Sequence, residues 1–305
     1  MSRVSFLIPA LNEASNIGRC ISAIKARAPV VGTFDITVGD HGSTDATAAL
    51  AESAGARVLA YTKGTTISSL RNFLVRNSSG DIIVFVDADV ELTDDWANNI
   101  VAALAALEAN RRQIMGSWCS PPDIRNPFID NWFGLMKAEN RNYIGTGHIL
   151  FHREVFDRIG GFDDTLKTGE DYDFCMRARS VAGCSIVSMP QLRVIHYDYP
   201  LTAAAFVRRE RWHGSGDFQS IANIAKSKAA LFTLAFIALH LILIAALLLG
   251  GSLLLPLAGI VAMVFAMSRL KFPAPRNRLA NMRICYLYLF GRSLSFFAQI
   301  PTLLR

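Results

Sequence analysis

The stretch Asp81-Ile82-Ile83-Val84-Phe85-Val86-Asp87-Ala88-Asp89 decides the fold. Its apolar run, mostly β-branched, reads as a strand buried on both faces. Such strands belong to parallel sheets covered by helices, and ligands in those sheets sit at the carboxyl ends of the strands. Here the strand runs directly into Asp87-Ala88-Asp89. Two carboxylates two residues apart in extended chain point to one side. They repel each other unless a cation lies beside them. A hard divalent ion with oxygen ligands, Mg²⁺ or Mn²⁺, shared with substrate phosphates, fits that chemistry.

Strand and helix signals alternate on either side of this stretch. Val4–Pro9 is a short apolar strand ending at a proline. Ser15–Ala28 has Ile17, Cys20, Ile21 and Ile24 at helical spacing, with Asn12 and Ser15 as caps. Phe34–Gly39 is a strand, and Thr44–Ala54 is a helix starting near Ser43 or Thr44. Arg57–Ala60 is a strand, and Thr66–Asn77 and Asp94–Ala109 are helices. The predicted fold is therefore α/β, a Rossmann-like and mostly parallel sheet. Its strand ends carry Pro9, Asn12 and Glu13, then Asp40-His41-Gly42-Ser43-Thr44-Asp45, then Asp87 and Asp89. Neither GxGxxG nor GxxxxGK[ST] occurs, which excludes a dinucleotide fingerprint and a P-loop. Further on come Gly145-Thr146-Gly147-His148, Gly160-Gly161-Phe162-Asp163 and Gly169-Glu170-Asp171. Cys175–Ala182 is helical in pattern, so Glu170 and Asp171 fall at a helix N-terminus, where acids also serve simply as caps.

The chain has 305 residues, with 31 Lys and Arg against 25 Asp and Glu, and is 51% apolar. That composition excludes a disordered or collagen-like chain. Residues 201–305 hold 12 of the basic residues and 2 of the acidic ones, a balance of +10, leaving −4 for residues 1–200. An acidic front and a basic, apolar back argue against nucleic acid and for a catalytic domain with a membrane-facing tail. From Ala229 to Ser268 there are 40 residues without Asp, Glu, Lys or Arg. That is enough for two spans of about 20 residues. Gly250, Gly251 and Pro256 suit a turn between them. Lys226 and Lys228 before, and Arg269, Lys271, Arg276, Arg278 and Arg283 after, place both ends on the cytoplasmic side of a hairpin. The expected division is 1–227 as the catalytic domain and 228–305 as the membrane region. A third apolar piece, about 281–304, contains Arg292 and Gln299. Mid-span arginine costs about 2.5–3.5 kcal/mol, so an interfacial helix is favoured over a third span. The five scattered cysteines, Cys20, Cys119, Cys175, Cys184 and Cys285, fit neither a zinc ribbon nor a disulfide framework. They fit reduced thiols in the cytosol.

The ordered set Pro9-x-x-Asn12-Glu13, Asp40-x-Gly42-Ser43-Thr44-Asp45, Arg71-Asn72, Asp87-Ala88-Asp89, Gly160-Gly161-Phe162-Asp163 and Glu170-Asp171 resembles family 2 inverting glycosyltransferases. Their nucleotide-sugar domain is of the GT-A type. The resemblance covers roughly residues 4–215. His41 departs from it, standing where the family often has Asp or Asn. The resemblance implies a nucleotide diphosphate sugar as donor and a hydroxyl of a lipid-linked or surface-glycan acceptor. It implies Mn²⁺ or Mg²⁺ as cofactor and the cytoplasmic face of a bacterial inner membrane as location. It gives Asp40 the base or ribose, with Pro9, Asn12 and Glu13 shaping that pocket. Arg71 is placed near the diphosphate and Asp87 near the ribose and sugar. Asp89 is given the metal, with Asp87 beside it, and His196 is a further metal or diphosphate ligand. The catalytic pair is Glu170 and Asp171, with Asp171 as general base. No covalent nucleophile is needed, because direct displacement inverts the anomeric centre. Arg208, Arg211 and Trp212 resemble the Gln-x-x-Arg-Trp acceptor motif of polysaccharide synthases. The same patch also reads as a basic collar for anionic lipid. Two other readings stand beside this one. One is a polyprenyl-phosphate glycosyltransferase of the dolichyl-phosphate-mannose-synthase kind, whose ionised acceptor needs no base. The other is a non-catalytic sugar-nucleotide-binding scaffold. The apolar hairpin can also pack against copies of itself to form a homo-oligomer.

Overall fold

The computed structural model of the chain describes residues 2–136 and 142–303, apart from the side chain of Thr302. In chain order the first elements are β1 (Val4–Ala10), α1 (Ile17–Arg27), β2 (Phe34–Asp40), α2 (Thr47–Ser53), β3 (Arg57–Ala60) and α3 (Ile67–Arg76). Then come β4 (Ile82–Val86), β5 (Val90–Leu92), α4 (Asp94–Ala109), β6 (Gln113–Gly116), α5 (Pro127–Asn131), β7 (His148–His152), α6 (Arg153–Ile159) and α7 (Glu170–Ala182). The remainder are β8 (Ser185–Ser188), β9 (Val194–His196), α8 (Ala203–Asp217), α9 (Ile221–Lys226), α10 (Lys228–Leu248), α11 (Leu254–Lys271) and α12 (Arg278–Leu303). They form two compact units. The first takes residues 1–122 and 137–198, the second residues 123–136 and 199–305.

The first unit is built on a seven-stranded sheet of order β3-β2-β1-β4-β7-β6-β8. β3, β2, β1 and β4 are mutually parallel. β7 runs antiparallel to both β4 and β6, while β8 runs parallel to β6. Six strands therefore share one direction and β7 alone opposes them. The period of two sorts each central strand between two cores. Phe6, Ile8, Val84 and Val86 pack with Trp96 on one face, whereas Leu7, Ile83 and Phe85 pack with Phe151 and Phe174 on the other. Helices cover both faces, as an unbroken apolar strand requires. A separate antiparallel ladder, β5 with β9, sets Val90 opposite His196.

Two helix starts differ from the sequence reading. α1 begins at Ile17 behind Asn16, and α2 begins at Thr47, neither with a side-chain cap. Asn12, Ser43 and Thr44 serve a loop instead. Asn12 takes a left-handed φ of 57°, which Asn tolerates. Its carbonyl oxygen accepts from the Thr44 N–H at 2.8 Å, and its N–H donates to Ser43 Oγ at 2.9 Å.

The second unit packs α12 against α8 and against the α10–α11 pair around Trp132, Phe206, Tyr288 and Leu289. An ideal Cβ on Gly259 would stand 3.1 Å from Leu239. Residues nearly equidistant from the turn at Gly250 thus touch, so α10 and α11 run antiparallel. Both are long and apolar enough to cross a membrane by length and composition. α12 is not in that class. Its Arg292 forms ion pairs with Asp217 and, at 3.2 Å, with Glu210, both on α8.

Candidate active site

The first unit gathers its acids where β1, β2 and β4 end. Asp40 closes β2, and its carboxylate accepts from the Ser43 N–H at 3.2 Å. His41 extends over the next loop, with Nε2 2.7 Å from Gly64 O and its ring beside Tyr61. The turn after β4 carries Asp87 and Asp89. Asp89 Oδ2 lies 3.1 Å from His196 Nε2, because the β5–β9 ladder brings the two chain segments side by side. Burial, reinforced by Asp87 and Asp198, pushes Asp89 up to about 7. Glu13 is raised to about 7 in the same way, by burial first and then by the charges of Asp89, Asp198 and Asp87.

A second acidic pair lies at the start of α7. Glu170 is buried and Asp171 follows it. Burial, with the neighbouring charge of Glu170, pushes Asp171 up to about 7. Arg71 of α3 joins the two groups. One guanidinium nitrogen is 2.6 Å from Glu170 Oε1 and another 3.2 Å from Asp87 Oδ1. The segment Gly145-Thr146-Gly147 lies between the acids. An ideal Cβ on Gly147 would come within 3.2 Å of Asp87 Oδ2, and one on Gly145 within 3.6 Å of Asp171 Oδ2. A side chain at Gly147 would crowd Asp87 and Cys119, whereas one at Gly145 would make ordinary contact with Asp171.

The scaffold behind the acids is held by polar contacts. Trp96 Nε1 donates to His148 Nε2 at 2.9 Å, which assigns the His148 proton to Nδ1, facing Ser117 Oγ at 2.8 Å. The Ser117 hydroxyl donates on to Leu192 O at 2.6 Å. Burial pulls His148 down to about 3 and keeps it neutral. Asn72 donates to Phe162 O and Asp164 Oδ1 and accepts from the Phe162 N–H at 2.8 Å. It thereby holds the Gly160–Asp164 loop. Gly161 in that loop sits at φ +81°, and a Cβ there would stand 2.5 Å from Asn72 Oδ1.

A family model described as glycosyl transferase family 2 matches residues 5–159, which is half of the chain. The chain belongs to glycosyl transferase family 2.

Among relatives of this family, the chain is 24% identical over 192 residues to glycosyltransferase AglE of Haloferax volcanii, covering 60% of this chain and 63% of AglE. It spans less than two thirds of the length of the curated relatives it matches first. Among solved structures it is similar to the mannosyltransferase PcManGT from Pyrobaculum calidifontis in complex with GDP-Man and Mn²⁺. That match has a TM-score of 0.65 and 21% identity over 98% of this chain and 88% of that one. It is also similar to S. aureus TarS 1-349 in complex with UDP-GlcNAc, with a TM-score of 0.54 and 12% identity over 98% and 91%. These likenesses establish the GT-A fold, a mostly parallel mixed sheet with helices.

Within this family 2 fold, the residues expected for the donor and the reaction divide as follows. Glu13, Asp87, Asp89 and His196 come together, and Arg71 ties Asp87 to Glu170 and hence to Asp171. Pro9 lies inside β1 against Gly39 of β2, one residue before the strand end that carries Asp40. Arg71, expected at a diphosphate, is buried between two carboxylates, where its charge is already matched. Among the described residues no three His, Cys, Asp or Glu side chains form a ready metal cage. Asp87 is drawn to Arg71, which leaves Asp89 and His196 as the closest pair. Arg208, Arg211 and Trp212 belong to the second unit, exposed on α8. Sequence reasoning gave no role to Asn72, Gly145 or Gly147. Their signal was the motif text itself, since glycines flanking a threonine before a strand mark close backbone approach.

Proposed function

We propose that the chain is a membrane-associated inverting glycosyltransferase. It transfers a sugar from a nucleotide diphosphate sugar to an acceptor hydroxyl on a lipid-linked or surface glycan. One observation carries the reading. Asp171 stands beside Gly145, two residues along the chain from Gly147, which adjoins Asp87, and its carboxyl is raised to about 7. An acid poised there takes a proton from an attacking hydroxyl at neutral pH. An acceptor phosphate would need no such group.

Asp40 and Glu13 line the nucleotide end and Asp87 the ribose and sugar. The donor set for a divalent ion is Asp89 with His196, one hard oxygen and one imidazole, with the remaining positions left to the donor's diphosphate. A bound Mn²⁺ or Mg²⁺ supplies charge stabilisation to the leaving diphosphate. Arg71 holds Asp87 and Glu170 in place, and Glu170 keeps the pocket negative around Asp171. The acceptor oxygen attacks the anomeric carbon as its proton passes to Asp171, and the bond to the diphosphate oxygen breaks on the opposite face. Two apolar helices with basic ends support the membrane association.

Asp171→Asn tests the assignment. Transfer falls at least about 10³-fold while nucleoside diphosphate still raises the melting temperature, the ratio expected when only the proton acceptor is lost. Full transfer by that variant would remove Asp171 from the role.

A further inference from the structure

Residues 199–305 carry two acids, Glu210 and Asp217, against 12 cations. Both acids are consumed. Glu210 is 2% exposed and paired with Arg209 at 2.8 Å and Arg292 at 3.2 Å, and Asp217 is paired with Arg292. α8 is therefore two-faced. Phe206, Glu210 and Gly214, four residues apart, are buried. Arg208, Arg211 and Trp212, at the three- and four-residue spacing of the opposite side, are exposed, and Trp212 is 54% exposed. The Ser227 hydroxyl donates to Asp217 at 2.8 Å, so the C-terminal end of α8 meets the N-terminal end of α10. Lys226 and Lys228 stand there. Since α10 and α11 are antiparallel, Arg269 arrives at the same end. The opposite end, at the turn around Gly250, carries Leu247, Leu248, Leu249, Leu254 and Leu255, all exposed and uncharged.

We propose that this charged end, with Arg208, Arg211 and Trp212 of α8 and Lys226, Lys228 and Arg269 of the hairpin, docks on a bilayer surface through anionic lipid headgroups. The inference rests on the membrane reading above and adds a lipid class to it. Arg208, Arg211, Lys226, Lys228 and Arg269 are all exposed, while Asp130 of the same unit is paired with Arg276 at 3.5 Å. An exposed cationic set of this kind complements an anionic leaflet, where each Lys or Arg near the surface is favoured. A half-exposed tryptophan among arginines suits the headgroup layer, where its ring is apolar and its N–H is wet. The inward salt bridges are what make the surface single-signed. With Glu210 or Asp217 facing out, the collar would be partly neutralised.

The test is flotation of the full chain, synthesised without detergent in the presence of preformed vesicles. One set is phosphatidylcholine alone and the other contains three parts in ten phosphatidylglycerol. The chain floats with both, because the apolar hairpin inserts, but partitions more strongly to the anionic set. That preference disappears in 1 M NaCl. The double variant R208Q/R211Q loses about 25-fold of it, about fivefold per charge, while nucleoside diphosphate still raises its melting temperature as in the parent chain. R208K/R211K keeps it. Equal partitioning of the unaltered chain to both sets overturns the lipid assignment and leaves the membrane reading standing. An undiminished preference in folded R208Q/R211Q also overturns it. Failure to float with either set removes the membrane reading itself.

Discussion

Arg71 and Glu170 form an ion pair at 2.6 Å inside the first unit, with Arg71 only 3% exposed. The same guanidinium reaches Asp87 at 3.2 Å. One side chain of α3 thus spans the turn after β4 and the start of α7, elements separated by more than 80 residues. The fork of an arginine makes this possible, because its planar donors serve two acceptors at fixed angles.

Removing one partner strands the others. Arg71→Met leaves Glu170 buried without its cation and lowers unfolding free energy by about 3–5 kcal/mol. The double variant R71M/E170Q recovers part of that loss, which equilibrium urea unfolding measures. Arg71→Lys keeps the charge but serves one acceptor, so transfer falls while melting temperature changes less. Equal stability of R71M and the parent chain would show the pair to be energetically idle.

The pH dependence follows from Asp171. Its folded carboxyl is raised to about 7, burial first and Glu170 second. A general base works when deprotonated, so kcat/KM rises with pH and levels off above about 7. Glu170→Gln removes the neighbouring negative charge and moves that rise to lower pH. Stability has the opposite sign. The folded state holds the proton more tightly than the unfolded chain. Its contribution is therefore present below the ordinary carboxylate range and lost as pH rises towards 7. Rates measured across pH 5.5–8.5 for the two proteins decide the matter, and superimposable profiles would separate Glu170 from Asp171.

Asn72 is a structural clamp. Asn72→Ala leaves the Phe162 N–H and carbonyl without their partner, each worth about 1–3 kcal/mol when buried and unmet. The melting temperature drops. Donor binding weakens less than transfer, because Asn72 holds the Gly160–Asp164 loop that leads into α7. Nucleotide titration beside a transfer assay separates the two effects.

Much of the first unit was legible because its physics is local. DIIVFV can be satisfied only between two helical layers, and β4 was read to within one residue. α4, Asp94–Ala109, matched the reading at both ends, with Thr93 Oγ1 accepting from the Trp96 N–H. α10 and α11 were legible as a charge-free stretch. The reversed strand was not. His148-Ile149-Leu150-Phe151-His152 is apolar whichever way it runs, and its direction is set by pairing with Ile82–Val86. The helices expected from Ser15 and Thr44 start at Ile17 and Thr47, because Asn12 and Ser43 bond a loop as readily as a helix end.

The order of motifs determined the family, the GT-A fold and the acids to watch, since strand pattern and turn chemistry act between neighbours in the chain. Tertiary structure alone decided that Arg71 joins Asp87 to Glu170, that Asp89 meets His196, and that Arg292 turns Glu210 and Asp217 inward. Each of those pairings depends on distance in space between residues far apart in sequence. Burial, which pushes the Asp89 carboxyl up, exists only once the layers have closed.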